Sequence, residues 1–186
     1  MNKEDRRVKR TQKSLQLALA ELMITKDLRS ITVQELADKA DIHRATFYSH
    51  YHDVYDLYDQ LEQSVISELD TIVSTDPTHS YNDIYEKIID YVYDNSVLWR
   101  MLLSKNGNRT FQDAIYKLLE KNYLDIWVFE EHKTNISDEM RYLSTYHIQG
   151  CIAIISLWVN SNFSYNKSDI AALINKVDDN LTNILV

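Results

Sequence analysis

Turn-forming residues are almost absent from this sequence, because its 186 residues include only 2 glycines and 1 proline. Tight hairpins and glycine-rich phosphate-binding loops depend on these residues, since glycine adopts positive φ at little cost and proline presets the first turn position. Hydrophobic residues make up 45% of the chain, which is enough for a core of ordinary size. The scarcity of glycine and proline therefore predicts an all-α protein.

Apolar residues recur at helical spacing along most of the chain and predict about nine helices. The predicted ranges are 9–24, 33–40, 43–50, 53–74, 81–94, 97–104, 110–130, 137–162 and 168 to the C-terminus. Ser168 or Asp169 is expected to cap the last helix. The single proline lies in "STDPTHS", residues 74–80, which marks a boundary between modules. We expect a three-helix head at 1–52, a connecting helix and linker at 53–79, and a larger helical domain at 80–186.

Charge divides the chain in the same way. Residues 1–52 hold ten Lys and Arg against seven Asp and Glu, whereas residues 53–186 hold ten against twenty-one; the balances of +3 and −11 sum to the net charge of −8. A basic head on an acidic body indicates a polyanion-binding module joined to a domain that does not bind polyanions. The alternative interpretation is a solvated charged tail.

The segment 31–42 has the features of a helix followed by a tight turn. Thr32 and Glu35 form a capping box, in which the Thr32 oxygen accepts from the Glu35 backbone N–H and the Glu35 carboxylate reaches back to Thr32. Asp41 stands where a left-handed turn residue is needed, and aspartate tolerates that conformation better than most non-glycine residues. Two short helices joined in this way, behind a longer helix and a basic arm, predict a helix-turn-helix.

The second short helix has two faces. Phe47 and Tyr51, four residues apart, are expected to face the first helix, and Ile42 to anchor the turn. The remaining polar side chains are expected on the outside, where they can donate to phosphates or contact base edges. They are His43, Arg44, Thr46, Tyr48, Ser49 and His50.

Metal and catalytic chemistry are disfavoured. His43, His50 and His52 lack a cysteine or a carboxylate pair to complete a tetrahedral site, so neither a metal nor a cofactor is expected. His147 and Cys151 have the spacing of a nucleophile pair, but no loop that can form an oxyanion hole is evident, so an enzyme is not expected. The single cysteine and the charged start "MNKEDRRVKR", without an apolar signal segment behind it, favour the cytoplasm.

Residues 142–166 contain no charged side chain. A membrane span is one interpretation, but the apolar centre "GCIAIISLWV" is too short for the roughly 20 residues that a spanning helix needs. The favoured interpretation is a helix buried on more than one face, against its own domain and against a second copy of the chain.

The segment "ITVQELADKADIHRATFYSHYHDVYDLYDQL", residues 31–61, resembles the TetR/AcrR family of one-component transcriptional regulators. It is similar to the family pattern Ile-Thr, Ala-x-x-Ala-Gly-Val-Ser, Thr-Phe-Tyr-x-His-Phe, then Leu. The resemblance implies a homodimer that binds a palindromic double-stranded DNA operator and pairs through residues 137–162 and 168–185. It also implies that Thr32 contacts a phosphate, that Arg44, Thr46 and Tyr48 lie in or beside the major groove with Tyr48 on the backbone, and that Ser49 and His50 lie nearby. Lys9, Arg10 and Lys13 are expected to meet the flanking DNA.

Three positions depart from the family pattern. Asp41 replaces the usual turn glycine and brings a negative charge near DNA. His43 replaces the usual serine, which is expected to change base preference. Val54 replaces the lysine that often contacts phosphate, and its loss predicts weaker non-specific affinity.

The later helices hold aromatic residues whose role the sequence leaves open. Core packing is one interpretation; the other is a ligand cavity lined by Trp99, Tyr123, Trp127, Tyr146 and His147. If these residues line a cavity, the expected effector is a small molecule of unknown identity. Alternatively it is a partner protein, because "YDNSVLWRMLLSKNGNRTF" and "SLWVNSNF" resemble the branch that includes dihydroxyacetone-kinase operon activators. A small-molecule effector requires an apolar cavity, whereas a filled core with an exposed apolar groove favours a protein partner.

Overall fold

The computed structural model describes residues 3–74, 81–104, 109–130 and 135–185. Within these ranges the chain forms nine α-helices and one short 3-10 turn, and no strand. The helices are α1 (Lys3–Met23), α2 (Val33–Lys39), α3 (Arg44–Tyr48), α4 (Val54–Val73), α5 (Tyr81–Asp94), α6 (Ser96–Leu102), α7 (Arg109–Glu130), α8 (Asp138–Asn160) and α9 (Lys167–Leu185). The prediction of an all-α protein is confirmed. No helix in the described ranges is long and apolar enough to cross a membrane.

Several predicted boundaries were wrong; α6 and α8, for example, end at Leu102 and Asn160, each two residues before the predicted end. Helix α1 begins at Lys3 and not at Lys9. Residues 3–8 are mostly charged residues that favour a helix, but they carry no apolar periodicity from which the helix could be predicted. Helix α3 ends at Tyr48, so Ser49 is its C-cap and His50 lies beyond it. Helix α9 begins at Lys167, where the Asn166 side chain donates to the Asp169 carboxylate, so neither Ser168 nor Asp169 is the cap. The predicted boundary at 74–80 lies, apart from Ser74, outside the described residues.

The chain divides into two compact units. The first comprises residues 1–65 and 96–108, and the second comprises 66–95 and 109–186. In the first unit α1 packs against α2 and α6, and α2 packs against α3. Helix α6 therefore belongs with the head by packing, although it follows α5 in sequence. The functional division predicted at residues 52 and 79 stays a prediction.

The core of the first unit is formed by one face of each helix. Leu15, Leu19 and Met23 recur along α1 and are fully buried. They share the interior with Leu36 of α2 and Phe47 of α3. Burying a side chain the size of phenylalanine contributes about 1.5–3 kcal/mol, so Phe47 anchors the five-residue helix α3, which is too short to be stable alone.

The second unit consists of the end of α4 with α5, α7, α8 and α9. Helix α5 packs against α9, and α8 packs against both α7 and α9. Tyr123, Leu124, Met140 and Ile148 form a buried cluster between α7 and α8, with Trp127 half-buried against it. Ser137 caps α8 by accepting from the Met140 backbone N–H at 3.1 Å.

A left-handed turn ends α8. Asn162 and Phe163 have φ of 60° and 58°, and the Phe163 N–H donates to the Trp158 carbonyl at 2.9 Å. This is a Schellman arrangement, which usually has glycine or asparagine at the first left-handed position. The Phe163 ring lies 4.8 Å from that of Trp158, and this contact offsets the strain of a positive φ at a bulky residue.

Candidate functional site

The turn between α2 and α3 has the predicted geometry. Asp41 has φ of 54°, in the left-handed region, and the Ile42 N–H donates to the Ala37 carbonyl at 3.0 Å. Ala37 is fully buried, so the two helices approach where the side chain is small. The Ile42 side chain is half-buried, and its buried part anchors the turn to the head. These contacts fix the direction in which α3 leaves the turn.

The capping box at the start of α2 is present. The Thr32 hydroxyl oxygen accepts from the Glu35 backbone N–H at 3.2 Å. The Glu35 carboxylate also accepts from Lys26, and this hydrogen bond is the main reason why its pKa is lowered, with the Thr32 backbone N–H contributing in the same direction. The hydroxyl proton of Thr32 remains available to donate outward, because its oxygen is the acceptor within the cap.

The structure divides the outward residues of the second short helix into two groups. His43, Arg44, Tyr48 and Ser49 are exposed, whereas Thr46 and His50 are half-buried. His43 is the N-cap residue of α3 but its side chain makes no capping hydrogen bond. The Ser49 hydroxyl donates to the Thr46 carbonyl at 2.7 Å. Phe47 and Tyr51 are buried as predicted.

Basic side chains of the head are distributed over α1. Arg6, Arg7, Lys9, Arg10 and Lys13 are exposed on a continuous helix rather than on an irregular arm. Other bases of the head are paired: Lys39 with Glu21 at 2.7 Å, Arg29 with Asp27 at 3.6 Å, and Lys26 with Glu35. The helical state of residues 3–8 could have been anticipated from their Lys, Arg and Glu content, since these residues favour helices.

The start of α4 is acidic and lacks a base. The Asp53 carboxylate accepts from the Asp56 N–H at 2.8 Å, and the Asp56 carboxylate accepts from the His52 N–H at 2.8 Å. This bond to His52, followed by a bond from Gln60, lowers the pKa of Asp56. Val54, which the family resemblance places where a lysine is often found, is buried, and the exposed aromatic ring of Tyr55 lies next to it in sequence.

The five aromatic and histidine residues predicted for a ligand site come together only in part, because Tyr123 contacts His147 and belongs to the same cluster as Trp127. Trp99 is buried in α6 of the first unit. Tyr123 and Trp127 belong to the cluster between α7 and α8, and Tyr146 is 67% exposed on α8. Tyr123 lines a small cavity of the second unit, with a volume of about 30 Å³ and walls mainly of isoleucine.

His147 is the centre of a buried polar group. Its Nε2 is hydrogen-bonded to the Tyr85 hydroxyl and lies 3.6 Å from the Cys151 sulfur. Its ring lies 4.9 Å from that of Tyr123. Burial lowers the pKa of His147 to about 4, so the imidazole is neutral near pH 7. No local pattern in the sequence links His147 to Tyr85, which is 62 residues away along the chain. The group connects α5, α7 and α8.

Comparison with known proteins identifies the family. The TetR family model described as "Transcriptional regulator C-terminal region" matches residues 79–179, which is more than half of the chain. The chain belongs to the TetR family of transcriptional regulators. The members of this family are not enzymes, and the buried His147–Cys151 pair accordingly belongs to the core. Among the described residues, no group of His, Cys, Asp and Glu side chains is arranged to hold a metal ion.

A relative and several solved structures resemble this TetR-family chain. The uncharacterised HTH-type transcriptional regulator YxbF of Bacillus subtilis strain 168 is 38% identical over 66 residues, which is 35% of this chain and 17% of that protein. The structure named dihydroxyacetone kinase operon activator DhaS has a TM-score of 0.64 at 20% identity, covering 93% of this chain and 94% of that one. A TetR-family regulator from Streptomyces coelicolor has a TM-score of 0.70 at 12% identity, covering 99% and 83%. At these identities the solved structures share the fold.

Proposed function

We propose that the protein is a homodimeric repressor or activator that binds a palindromic operator through its helix-turn-helix and responds to an effector through residues 80–186. The observation that carries the proposal is the α2–turn–α3 geometry. Asp41 fixes the turn, Phe47 holds α3 to the core, and the outer side of α3 presents exposed polar side chains. A short helix anchored in this way can enter the major groove.

The DNA contacts follow from exposure and hydrogen-bonding capacity. Arg44 and His43 are the side chains proposed to contact base edges, because both are exposed at the start of α3. Tyr48, Ser49 and the Thr32 hydroxyl are proposed to contact the backbone. Thr46 and His50, which are half-buried, are proposed to lie at the edge of the same surface. These seven residues form the proposed DNA-binding site.

The α1 surface extends this site. Lys9, Arg10 and Lys13 are proposed to meet phosphates that flank the major-groove contact. Each phosphate that a protein neutralises steepens the salt dependence of binding. Since Val54 is buried and cannot replace the family's lysine, the α1 bases are expected to supply most of that dependence.

A DNA selection followed by affinity measurements tests the site. The wild type should select a palindrome with half-sites about 34 Å apart, one turn of DNA. Arg44→Ala and Tyr48→Ala should each weaken operator binding by about 1–3 kcal/mol. Lys117→Ala, which removes an exposed base from α7 of the second unit, is the matched control and should leave the affinity unchanged. Equal affinities for Arg44→Ala and the control would show that α3 does not contact the operator.

The proposed dimer forms through α8 and α9. Tyr142, Tyr146 and Leu157 are 78%, 67% and 73% exposed, and they lie along one face of α8. Gly150 and Ala153 occupy the same face between them, both exposed. A face of this kind, on a helix without charge after Arg141, is typical of a surface that another helix covers. TetR regulators usually dimerise, which supports a second copy as the occupant.

Gly150 supports the same surface independently. A Cβ atom built on Gly150 meets no atom of its own chain within 4 Å. Its φ is not positive, so neither packing nor backbone conformation within the protomer requires glycine there. Glycine in the middle of a helix costs about 1 kcal/mol relative to alanine. Close approach by the partner's helix accounts for that cost.

Sedimentation tests the interface. Ile154 is half-buried and lines a groove of about 430 Å³ between α8 and α9. Ile154→Asp should give monomers, because it places a charge in an apolar surface that the partner covers. Phe129→Asp alters an exposed apolar side chain on α7 and should remain dimeric. A dimeric Ile154→Asp variant would assign the interface elsewhere.

The filled core favours one effector class over the other. The cavity of about 30 Å³ has space for two or three waters at most, since a water needs roughly 10–15 Å³ by this measure. A drug-sized molecule therefore cannot enter without opening the core. This supports the alternative in which a partner protein controls residues 80–186. Titration with indole, followed by thermal unfolding, tests the point: a saturable rise in Tm that is lost on narrowing the cavity by Ile88→Phe would favour a small molecule.

A further inference from the structure

Arg44 and Tyr48 contact each other on the exposed side of α3. They are four residues apart, and the Arg44 guanidinium carbon lies 5.9 Å from the centre of the Tyr48 ring. Arg44 Nη2 also donates to the Tyr48 hydroxyl oxygen at 3.4 Å. Tyr48 in turn lies edge-to-face against Phe47, with ring centres 5.5 Å apart and planes at 89°. A chain of contacts thus leads from the buried Phe47 ring to the exposed guanidinium.

The contact leaves the recognition capacity of Arg44 in place. A guanidinium carries five N–H donors in a planar fork, and one of them suffices for the Tyr48 hydroxyl. The remaining donors can form the bidentate pair that arginine makes with O6 and N7 of guanine. Arginine also has large rotamer freedom, which a specific contact must overcome. A side chain held beforehand loses less of that freedom on binding.

We propose, on the basis of the DNA-binding function proposed above, that Tyr48 is a positioning residue for Arg44. It holds the guanidinium over its ring so that the free edge of the fork faces a guanine in the major groove. Tyr48 thereby contributes to sequence specificity through Arg44. This role is additional to the backbone contact proposed above, because a phosphate contact alone fixes register but carries no sequence information.

The two roles predict different patterns of loss. A phosphate contact is lost equally on every DNA sequence, so Tyr48 variants would weaken specific and non-specific binding by the same factor. If Tyr48 positions Arg44, its variants would lose discrimination only at the base pair that Arg44 contacts. Tyr48→Phe keeps the ring and removes the hydroxyl, whereas Tyr48→Leu removes both contacts. The pair of variants therefore separates the ring from the hydrogen bond.

The experiment uses the intact 186-residue chain and begins with selection on random DNA. Arg44→Ala identifies the base pair at which preference disappears. Two operators are then compared, the selected one and a second that differs from it only at this base pair. The discrimination ratio is the affinity for the first operator divided by the affinity for the second. Tyr48→Leu should lower this ratio about two- to five-fold, the size of an exposed cation–π contact, and Tyr48→Phe should lower it less. Ratios at the other base pairs should not change.

The Arg44→Ala background provides the control. In that background Tyr48→Leu should leave the discrimination ratio unaltered, because the side chain it positions is absent. The proposal is overturned if Tyr48→Leu weakens all sequences equally, or if its effect on the ratio persists without Arg44. A wild type that selects no sequence would instead overturn the DNA-binding function itself. Circular dichroism confirms folding of each variant, and Tyr48 is 52% exposed, so a loss of fold is not expected.

Discussion

Gly150→Ala separates the stability of the helix from the stability of the proposed dimer. Within one protomer the new Cβ meets nothing within 4 Å, so the only effect there is on helix propensity. Alanine is favoured over glycine in a helix interior by about 1 kcal/mol. The isolated protomer should therefore become more stable by that amount. In a two-fold dimer the same methyl enters twice, once from each copy.

The dimer should respond in the opposite direction. Added methyl groups in a close-packed contact cost about 1–3 kcal/mol, which raises the dimer dissociation constant roughly 5- to 150-fold. Sedimentation equilibrium gives the dissociation constant, and urea unfolding in the Ile154→Asp background gives protomer stability. Ala153→Gly on the same helix face is the matched control, and it should destabilise the protomer by about 1 kcal/mol without adding volume at the interface. If Gly150→Ala dimerised as tightly as the wild type, the assignment of Gly150 to the interface would be refuted.

Three further outcomes are expected. Thr32→Ala should lower the free energy of unfolding by about 1 kcal/mol through loss of the α2 cap, measured by urea denaturation, while Thr32→Ser should restore it. Asp41→Asn should keep the positive φ and steepen the salt dependence of DNA binding, whereas Asp41→Ala should destabilise the fold; equal stability of the two would contradict the turn assignment. His147 has a folded pKa of about 4 against 6.5 for the ordinary group, so the unfolded state binds more protons between these values. The contribution of neutral His147 to the free energy of unfolding is complete above pH 6.5 and falls by on the order of 3 kcal/mol as the pH is lowered to 4. Urea denaturation at several pH values should show this loss in the wild type and not in His147→Gln.

Local patterns in the sequence predicted the features that depend on neighbours in the chain. The Thr32 cap and the left-handed Asp41 are properties of four or five consecutive residues. The burial of Phe47 and Tyr51 follows from their spacing on α3. Each of these was confirmed because the backbone chemistry of a short segment determines it.

Features that depend on distant segments were not predictable in the same way. Helix α6 was expected with the later helices, but it packs against α1 in the first unit. No local pattern distinguishes the two partners, since the apolar residues of α6 suit either core. The bond between Tyr85 and His147 joins positions 62 residues apart, and His147 alone gave no indication of its partner. The start of α9 was uncertain for a different reason, because Asn166, Ser168 and Asp169 are all favourable capping residues within four positions.

The walls of the small cavity connect the core of the second unit to the proposed dimer surface. Cys151 and Ile174 line both the small cavity and the groove between α8 and α9. Tyr85 lines the cavity, and its hydrogen-bond partner His147 lines the groove. Because a close-packed core does not deform continuously, opening or filling the cavity has to displace at least one of these side chains. In the proposed dimer the displaced side chain lies at the surface that the second copy covers. An effector that fills the cavity and a different protein that binds the groove would therefore shift the same side chains.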